Sequence, residues 1–360
     1  MDLGDTYVLG IVRGALGTMV FLDALHWARE LAANGYFGDF FHVPFLAEAY
    51  VPSRLVYTGI LASMLLLAAL SVVGVCARLA LGASAILGIY VLLCDRLQFH
   101  QNRYALFCIA GLLSLSPCDR SFVVVKRVTS PVSRIGPLWA QRLAQGQLSV
   151  IYLAAGGGKF FDADWRKGLV LADLLRHYTR RPWNGALEAR AIDFITDPAT
   201  AGVLAKVVIA TELFLAVGLW YRRTRVFALW WGVWFHLAIQ LTLHPEFFTW
   251  IVFAGYALFV TPDFRARTFC FDPLRPKGAL CARLVRWFDW FARFDVVPSQ
   301  PDAPPPGHSM VIVLRDGSRA TGIHAFAMAT RCIPALFPLW APVALVATLT
   351  KGGKASVRGK

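Results

Sequence analysis

The amino-acid sequence predicts an all-α membrane protein: a polytopic transmembrane helical bundle of about eight spans, with a short amphipathic and β-turn tail at the C-terminus. Hydrophobic residues make up 57% of the 360 residues and charged residues only 16%, whereas soluble domains usually carry about 25% charged residues. The mean hydropathy is +0.54, which leaves too little polar surface to cover a globule in water. We therefore expect lipid to surround most of the chain.

Eight apolar runs are the candidate spans. They cover residues 6–28, 55–77, 79–94, 104–118, 143–158, 198–221, 226–245 and 247–262. Several are close to the lower limit of about 17 residues for crossing a bilayer, so we expect the shorter spans to extend into partly charged flanks. The first run lacks a basic segment before it and a small-residue cleavage site after it, so we expect a retained helix.

Basic residues mark one side of the predicted bundle, in a chain whose formal net charge is +14. The gap after the fourth run holds Arg120, Lys126, Arg127, Arg134 and Arg142, and the gap after the sixth holds Arg222, Arg223 and Arg225. The positive-inside rule places these gaps in the cytoplasm. We therefore predict a multi-pass plasma-membrane protein whose N- and C-termini both lie in the cytoplasm. The predicted partner is the lipid bilayer. No nucleic-acid-binding motif accompanies the charge, and the sequence identifies no protein or peptide partner.

The seven cysteines show no spacing typical of metal binding or redox chemistry. None forms a C-x-x-C motif, and no cluster of His and Cys has zinc-ligand spacing. We predict neither a disulfide framework nor a metal site.

Two further regions are predicted to follow a transmembrane domain at residues 6–265. Residues 266–297 form a basic amphipathic surface helix region, because the aromatic and arginine side chains of 282–294 fall on different faces. Residues 298–360 form a proline-rich linker and a tail, in which Asp316-Gly317 indicates a turn.

The end of the tail has two interpretations. Residues 332–350 are uncharged but contain three prolines, which oppose a regular helix. An interfacial hairpin-like element and a ninth span both fit this stretch. Residues 310–326 and 333–340 are similar to the C-terminal half of the DCC group of thiol–disulfide oxidoreductase-like proteins. The cysteine motif of that group is missing here, which implies a degenerate remnant without redox chemistry.

The polar residues singled out inside the predicted spans come from three runs. Arg13 and Asp23 lie in the first run, Lys206 and Glu212 in the sixth, and His236 in the seventh. Arg13 and Asp23 are separated by a rise of about 15 Å along one helix, so they cannot pair with each other. We predict an Arg13–Glu212 or Asp23–Lys206 ion pair, either structural or part of a site. His236 is predicted to face the bundle interior, in a site or in an interhelical hydrogen bond.

A motif surrounds Lys159, which follows three glycines and precedes Asp162-Ala163-Asp164-Trp165-Arg166-Lys167-Gly168. Together with Ile151–Gly156, this stretch resembles the core motif of vitamin K-dependent γ-glutamyl carboxylases, within the superfamily of horizontally transferred transmembrane (HTTM) domains. The resemblance covers about residues 6–265. It extends to Arg13 and Asp23, to His100–Tyr104 leading into Leu115-Ser116-Pro117-Cys118, and to Trp234-Phe235-His236.

The resemblance implies an enzyme in which a lysine acts as a base toward vitamin K hydroquinone, supported by a histidine just before the next helix. Lys159 and His100 are the nearest matches, and Asp162 is the third candidate catalytic residue. Counting back from Asp162, Lys159 matches the first of two adjacent lysines in the family, and Phe160 occupies the second position. The implied cofactor is a reduced quinone, and the family chemistry adds carbon dioxide to glutamate side chains.

Each of these candidates also has a structural interpretation. Desolvation at the end of an apolar helix favours the neutral amine of Lys159, which is the form that acts as a base. Alternatively, Lys159 extends to the interface and marks the helix end. His100 fits an interfacial hydrogen bond as well as catalysis, and Asp162 with Asp164 fits helix capping as well as acid–base chemistry.

Three classes of function are consistent with the sequence. The first is a membrane enzyme acting on a lipid-soluble quinone-type substrate at an outward-facing site. The second is a non-enzymatic membrane protein that binds lipid or a protein partner, and the third is a transporter. A cavity lined by both Lys159 and His100 would favour the enzyme.

Overall fold

The computed structural model describes residues 3–33, 37, 43–45, 52–123, 135–178, 186–245, 247–260, 267–289, 293–298, 310–314 and 317–349. The chain divides into two compact units, Met1–Val260 and Thr261–Lys360. This boundary lies a few residues before the one predicted at residue 265.

The first unit is a helical bundle in which every predicted apolar run contains a helix. The helices are α1 (Tyr7–Ala32), α2 (Arg54–Val73), α3 (Ala77–Leu93), α4 (Gln101–Ser114), α5 (Trp139–Phe161), α6 (Ala163–Arg166), α7 (Leu169–Tyr178), α8 (Ala186–Thr196), α9 (Pro198–Gly218), α10 (Arg225–Leu243) and α11 (Phe248–Ala257). Two short strands, β1 (Leu3–Asp5) and β2 (Ile135–Pro137), pair antiparallel and join the start of the chain to the segment before α5.

Four helices among the described residues are long and apolar enough to cross a membrane. They are Tyr7–Leu31, Arg54–Val73, Pro198–Gly218 and Arg225–Leu243. Helix α3 is apolar but shorter. Helix α11 has ten residues and rises about 15 Å, half of the roughly 30 Å hydrocarbon core of a bilayer. The chain is therefore mostly helical with several membrane-spanning helices, and length alone supports four of the eight predicted crossings.

Large apolar side chains cover the outside of this unit. Leu55, Leu79 and Leu241 are each more than three-quarters exposed, and they lie on three of the apolar helices. Continuous exposed apolar surface of this kind needs a cover. Lipid provides it, in agreement with the composition.

Glycines allow close packing between antiparallel helices. A Cβ at Gly88 of α3 would lie 2.3 Å from the Phe107 ring of α4, and a Cβ at Gly156 of α5 would lie 3.1 Å from Glu212 Cβ of α9. Small residues at such contacts let helix backbones approach, which is how helices associate in membranes. The α5–α9 contact positions the candidate site.

The second unit is an α/β unit rather than the predicted helical and linker segments. Its elements are β3 (Arg267–Phe271), α12 (Pro276–Phe288), β4 (Phe294–Pro298), β5 (Met310–Val313), β6 (Arg319–Thr321), α13 (Gly322–Cys332), a 3₁₀ helix (Pro334–Leu339) and α14 (Trp340–Leu349). The sheet order is β4-β3-β5-β6. Strands β3 and β4 are parallel, and the other two pairs are antiparallel.

The prediction that residues 282–294 form one surface-lying helix is corrected by this fold. Helix α12 ends at Phe288, and Phe294 begins a strand. Ala282 and Val285 of α12 are buried in a core with Phe269 and Ile312 of the sheet. An amphipathic pattern requires an apolar surface to pack on, and here a sheet supplies it instead of lipid.

The remaining tail predictions have mixed outcomes. Asp316 and most of the predicted proline-rich linker lie outside the described residues. Gly317 has a φ of 78°, and the backbone of its neighbour Ser318 accepts a hydrogen bond from the Leu314 N–H, close to the antiparallel pairing of β5 with β6. In the 332–350 stretch, the apolar helical segment Pro334–Leu349 is shorter than the four candidate spans.

Candidate functional site

Lys159 and Glu212 form an ion pair between α5 and α9. The Nζ of Lys159 lies 2.8 Å from each carboxylate oxygen of Glu212, and the two side chains are 19% and 10% exposed. The ammonium also lies 5.2 Å from the centroid of the Trp165 ring, within cation–π range. Lys159 therefore points back to the bundle and does not extend freely to the interface.

The glycines before Lys159 have different surroundings. Gly156 lies against Glu212 and Leu213, whereas an added Cβ at Gly157 or Gly158 would meet nothing within 4 Å. Gly156 is one turn before Lys159 on the same helical face. Its missing side chain brings the α5 backbone close to Glu212, and this closeness allows the two-oxygen contact with Lys159.

The motif after Lys159 builds a tight turn. Oδ1 of Asp162 accepts hydrogen bonds from the backbone N–H groups of Asp164 and Trp165 at 2.8 and 3.2 Å, which is a helix N-cap. Gly168 has a φ of +81°, and a Cβ there would lie 2.3 Å from the backbone of Ala201. The turn therefore needs glycine where it touches α9. Of the two interpretations of Asp162, the observed contacts are those of capping.

His100 lies apart from these contacts. It is the exposed residue before α4, and its side chain makes no capping hydrogen bond. None of the described contacts of Lys159 involves His100. The structure thus brings Lys159 together with Glu212 and Trp165, and not with its expected histidine partner.

A second polar cluster lies deeper in the bundle. The hydroxyl of Tyr152 lies 2.7 Å from Nε2 of His236 and 2.5 Å from the hydroxyl of Tyr256. The three side chains are buried and come from α5, α10 and α11. His236 is buried in the bundle interior and makes an interhelical hydrogen bond with Tyr152.

The predicted ion pairs of the first and sixth spans are wrong. Arg13 donates to the backbone carbonyls of Cys118 and Phe122 at 3.2 and 2.6 Å. Asp23, which is fully buried, pairs with Arg103 Nε at 2.8 Å. Glu212 forms its ion pair with Lys159, and Lys206 is exposed.

The two predicted pairs are wrong for different reasons. Arg103 lies in the first turn of α4. The predicted apolar run begins at residue 104, so Arg103 did not count as a charge inside a span. The partners of Arg13 are backbone carbonyls, which no pattern of side chains in the sequence reveals.

A comparison with known families covers this whole bundle. The family model of the HTTM domain matches residues 3–264, which is well over half of the chain. The chain belongs to the HTTM domain family. No solved structure matches the chain.

The HTTM match includes Lys159, Glu212 and the Tyr152 cluster, and it ends before β3. The sheet of the second unit is thus outside the HTTM domain. The membrane character of the first unit follows from the family and from its apolar helices.

An open cavity of about 660 Å³ lies elsewhere in the HTTM domain. Its wall includes Gly14, Thr18 and His26 of α1, Arg103 of α4 and Trp250 of α11. Lys159, His100 and Asp162 are not among its lining residues. The expected common cavity for Lys159 and His100 is therefore not this one.

Sequence reasoning missed three residues of the polar clusters, namely Trp165 as the cover of Lys159 and Tyr152 and Tyr256 as partners of His236. Tyr152 carried one usable signal, because it precedes Lys159 by seven residues and so lies on the same face of α5. Tyr256 carried none, since a tyrosine in an aromatic-rich apolar helix is common.

Proposed function

We propose that the HTTM domain crosses the plasma membrane eight times with both termini in the cytoplasm. The contacts between helices support a common end for the start of α1, the end of α4 and the start of α5, since Arg13 reaches Cys118 and β1 pairs with β2. The end of α11 is at this level too, because Leu258 accepts a hydrogen bond from Gln141 of α5. Trp220 after α9 packs on Phe259 beside it.

Charge distinguishes this end from the other. Arg120, Arg222 and Arg223 follow α4 and α9 here, whereas the opposite end of α5 carries charges of both signs, namely Lys159, Asp162, Asp164, Arg166 and Lys167. The basic end faces the cytoplasm by the positive-inside rule. The Lys159 end then faces outward.

Cys76 offers a direct test of this orientation. It is exposed in the turn between α2 and α3, and the neighbouring Gly74 packs on Val123 after α4, which places it at the basic end. A membrane-impermeant maleimide should label Cys76 in sealed inside-out vesicles and not in right-side-out vesicles, with Cys76→Ser as the control for peptide assignment. Labelling of Cys76 from the outside would refute the orientation.

The function that we propose for the Lys159 end is the binding and deprotonation of a lipid-soluble quinone-type molecule. The observation that carries it is the position of Lys159 Nζ between both oxygens of Glu212 and the ring of Trp165. A proton can pass between the ammonium and the carboxylate without changing the net charge of the pair.

The neutral amine of Lys159 is a base that suits the hydroxyl of a reduced quinone. When the proton leaves the hydroxyl, the O–H bond breaks, an N–H bond forms on Lys159, and the oxygen anion remains beside the ammonium. The exposed aromatic rings of Phe160 and Phe161 offer surface for the apolar ring system. The family resemblance names the same chemical class.

Photoaffinity labelling tests the binding part of this proposal. An azido-naphthoquinone added to the purified full chain should label peptides of α5 and α9. Lys159→Met should lower the labelling, and Lys206→Met, an exposed lysine of α9, should not. Gly156→Leu should also lower it because it forces Glu212 away, whereas Gly157→Leu meets open space. Equal labelling of Lys159→Met and wild type would refute the proposal.

The reaction is tested separately. A co-expressed glutamate-rich peptide is examined by mass spectrometry for a carbon dioxide adduct, with reduced naphthoquinone supplied and Lys159→Ala as control. An adduct that depends on Lys159 would extend the function to carboxylation. Labelling without an adduct would confine it to quinone binding.

The alternative of a non-enzymatic lipid-binding protein has one observation in its favour. The 660 Å³ cavity is lined without Lys159 or His100, so the domain has room for a lipid away from the ion pair. Such a protein would keep its function in Lys159→Met.

A further inference from the structure

The cavity between α1, α4 and α11 has two chemically different ends. Gly14, Ala15 and Met19 line the end nearer the start of α1, and His26 with Arg103 lines the other. Leu22 and Trp250, which border it, are about half exposed. The cavity is thus an open groove on the outside of a membrane bundle, apolar over most of its length and polar at one end.

The length of the groove matches one leaflet of a bilayer. Gly14 and His26 are twelve residues apart, which corresponds to a rise of about 18 Å on a helix. Half of the hydrocarbon core is about 15 Å thick. A lipid with its polar head at His26 and Arg103 would therefore have room for an acyl chain along α1 as far as Gly14.

The polar end carries the Arg103 guanidinium and the His26 imidazole in a setting without large net charge. Arg103 pairs with Asp23 and stacks on Trp27, with its Cζ 4.7 Å from the ring centroid. Asp23 offsets the charge of Arg103, so a headgroup is recognised here mainly by hydrogen bonds. Guanidinium groups are suited to phosphate oxygens, and Trp250 at the rim is a residue type that anchors at headgroup level.

We propose that this groove is a binding site for one membrane phospholipid, with an acyl chain along Gly14–Leu22 and the phosphate at His26 and Arg103. The inference is independent of the proposed quinone function, because Lys159 and Glu212 are not part of the groove. Since the polar end is nearly neutral, zwitterionic and anionic phospholipids bind with similar affinity.

The test uses a phospholipid with a diazirine in one acyl chain, added to the purified full chain in detergent micelles. After irradiation, the crosslinked residues are mapped by mass spectrometry. We expect crosslinks to concentrate on residues 14–22 of α1 and around Trp250. Crosslinks spread equally over other exposed apolar positions, such as Leu55 of α2, would overturn the proposal.

A matched pair of glycine variants tests the groove itself. Added Cβ atoms at Gly14 and Gly59 both meet nothing within 4 Å, so leucine is tolerated at either position. Gly14→Leu fills the groove and should reduce crosslinking by about tenfold, a loss of about 1.4 kcal/mol. Gly59→Leu on α2 should leave it unchanged. Equal crosslinking of both variants would contradict the site, and thermal unfolding of each variant verifies that it is folded.

Competition identifies the headgroup. Unlabelled phosphatidylcholine and phosphatidylglycerol should compete to a similar degree, and diacylglycerol, which lacks the phosphate, should compete much less. If diacylglycerol competes equally, phosphate recognition is wrong. If a reduced naphthoquinone competes best, the groove belongs to the quinone and the phospholipid assignment is overturned.

Discussion

Both carboxylate oxygens of Glu212 lie 2.8 Å from Nζ of Lys159, which joins the last turn of α5 to α9. Neither partner is well exposed to solvent. Removing one member would therefore leave a partly buried charge without compensation, which costs more than the pair itself contributes.

This relationship predicts the outcome of a double-mutant cycle. We expect Lys159→Met and Glu212→Met each to lower the free energy of unfolding by about 3 kcal/mol, and the double variant to recover most of the loss. Unfolding is measured by titration of the purified chain with sodium dodecyl sulfate in mixed micelles. Lys206→Met serves as the control and should stay within about 0.5 kcal/mol of wild type. Additive losses in the double variant would show that the two residues do not interact.

The close approach of α3 and α4 predicts a contrast between two glycines. A Cβ at Gly88 would lie 2.3 Å from the Phe107 ring, whereas one at Gly146 of α5 meets nothing within 4 Å. Gly88→Ala should destabilise the bundle by about 1–3 kcal/mol through overpacking. Gly146→Ala should be neutral or stabilise it by up to about 1 kcal/mol through helix propensity. The same unfolding titration distinguishes the two variants. Equal changes in the free energy of unfolding would mean that α3 and α4 do not approach each other closely at Gly88.

The apolar helices of the first unit could be predicted because uncharged length is visible in a sequence, whereas the short helices α6, α7 and α8 were not predicted. The pairing of polar residues could not, since hydropathy does not encode which helices are neighbours in a bundle. An Asp23–Lys206 pair was one of the two alternatives, and Asp23 instead meets Arg103, which precedes the apolar run of α4. Lys159 was identified by its motif, but Glu212 became its partner only through the α5–α9 contact at Gly156.

The second unit was missed for a different reason. Its strands have three to five residues, so each gives little periodic signal. The parallel pair β3–β4 is separated by α12, and only the helix has a strong amphipathic pattern. That pattern predicted a helix on a membrane surface, but the surface on which α12 packs depends on strands that are distant in the sequence.

The Asp23–Arg103 pair predicts strong coupling between α1 and α4. Asp23 is fully buried and its carboxylate lies 2.8 Å from Arg103 Nε. Arg103→Met should lower the free energy of unfolding by about 3–5 kcal/mol, and Asp23→Leu combined with Arg103→Met should recover part of it. Arg222→Met, in the exposed turn before α10, is the control. If Arg103→Met lowered the free energy of unfolding by less than Arg222→Met does, the Asp23–Arg103 pair would not stabilise the bundle.

Asp289 predicts a pH dependence for the second unit. Burial raises the pKa of this carboxyl above its ordinary value of 3.8, against the lowering effect of the Arg293 and Phe294 backbone N–H groups. A raised pKa in the folded state means that the contribution of Asp289 to stability is fully present below the ordinary value and is lost as the pH rises through the folded pKa. Calorimetric unfolding of the full chain from pH 4 upward should show this loss. Asp289→Asn should flatten it, and an unchanged slope would assign the dependence to other groups.

The buried hydroxyl of Tyr152 leads to the last prediction. It is shared between Nε2 of His236 and the hydroxyl of Tyr256, so Tyr152→Phe leaves two buried polar groups without this partner. We expect a loss of about 1–3 kcal/mol in the free energy of unfolding. Tyr256→Phe removes only one end of the cluster and should cost less.

The two Tyr152-cluster variants should also be non-additive, because the double variant removes a hydrogen bond that each single variant has already broken. Tyr221→Phe, at an exposed position after α9, is the control for loss of a tyrosine hydroxyl. If Tyr152→Phe resembles Tyr221→Phe, then the hydroxyl does not join α5 to α10 and α11. In that case His236 would be held by packing alone, and its interior position would need another explanation.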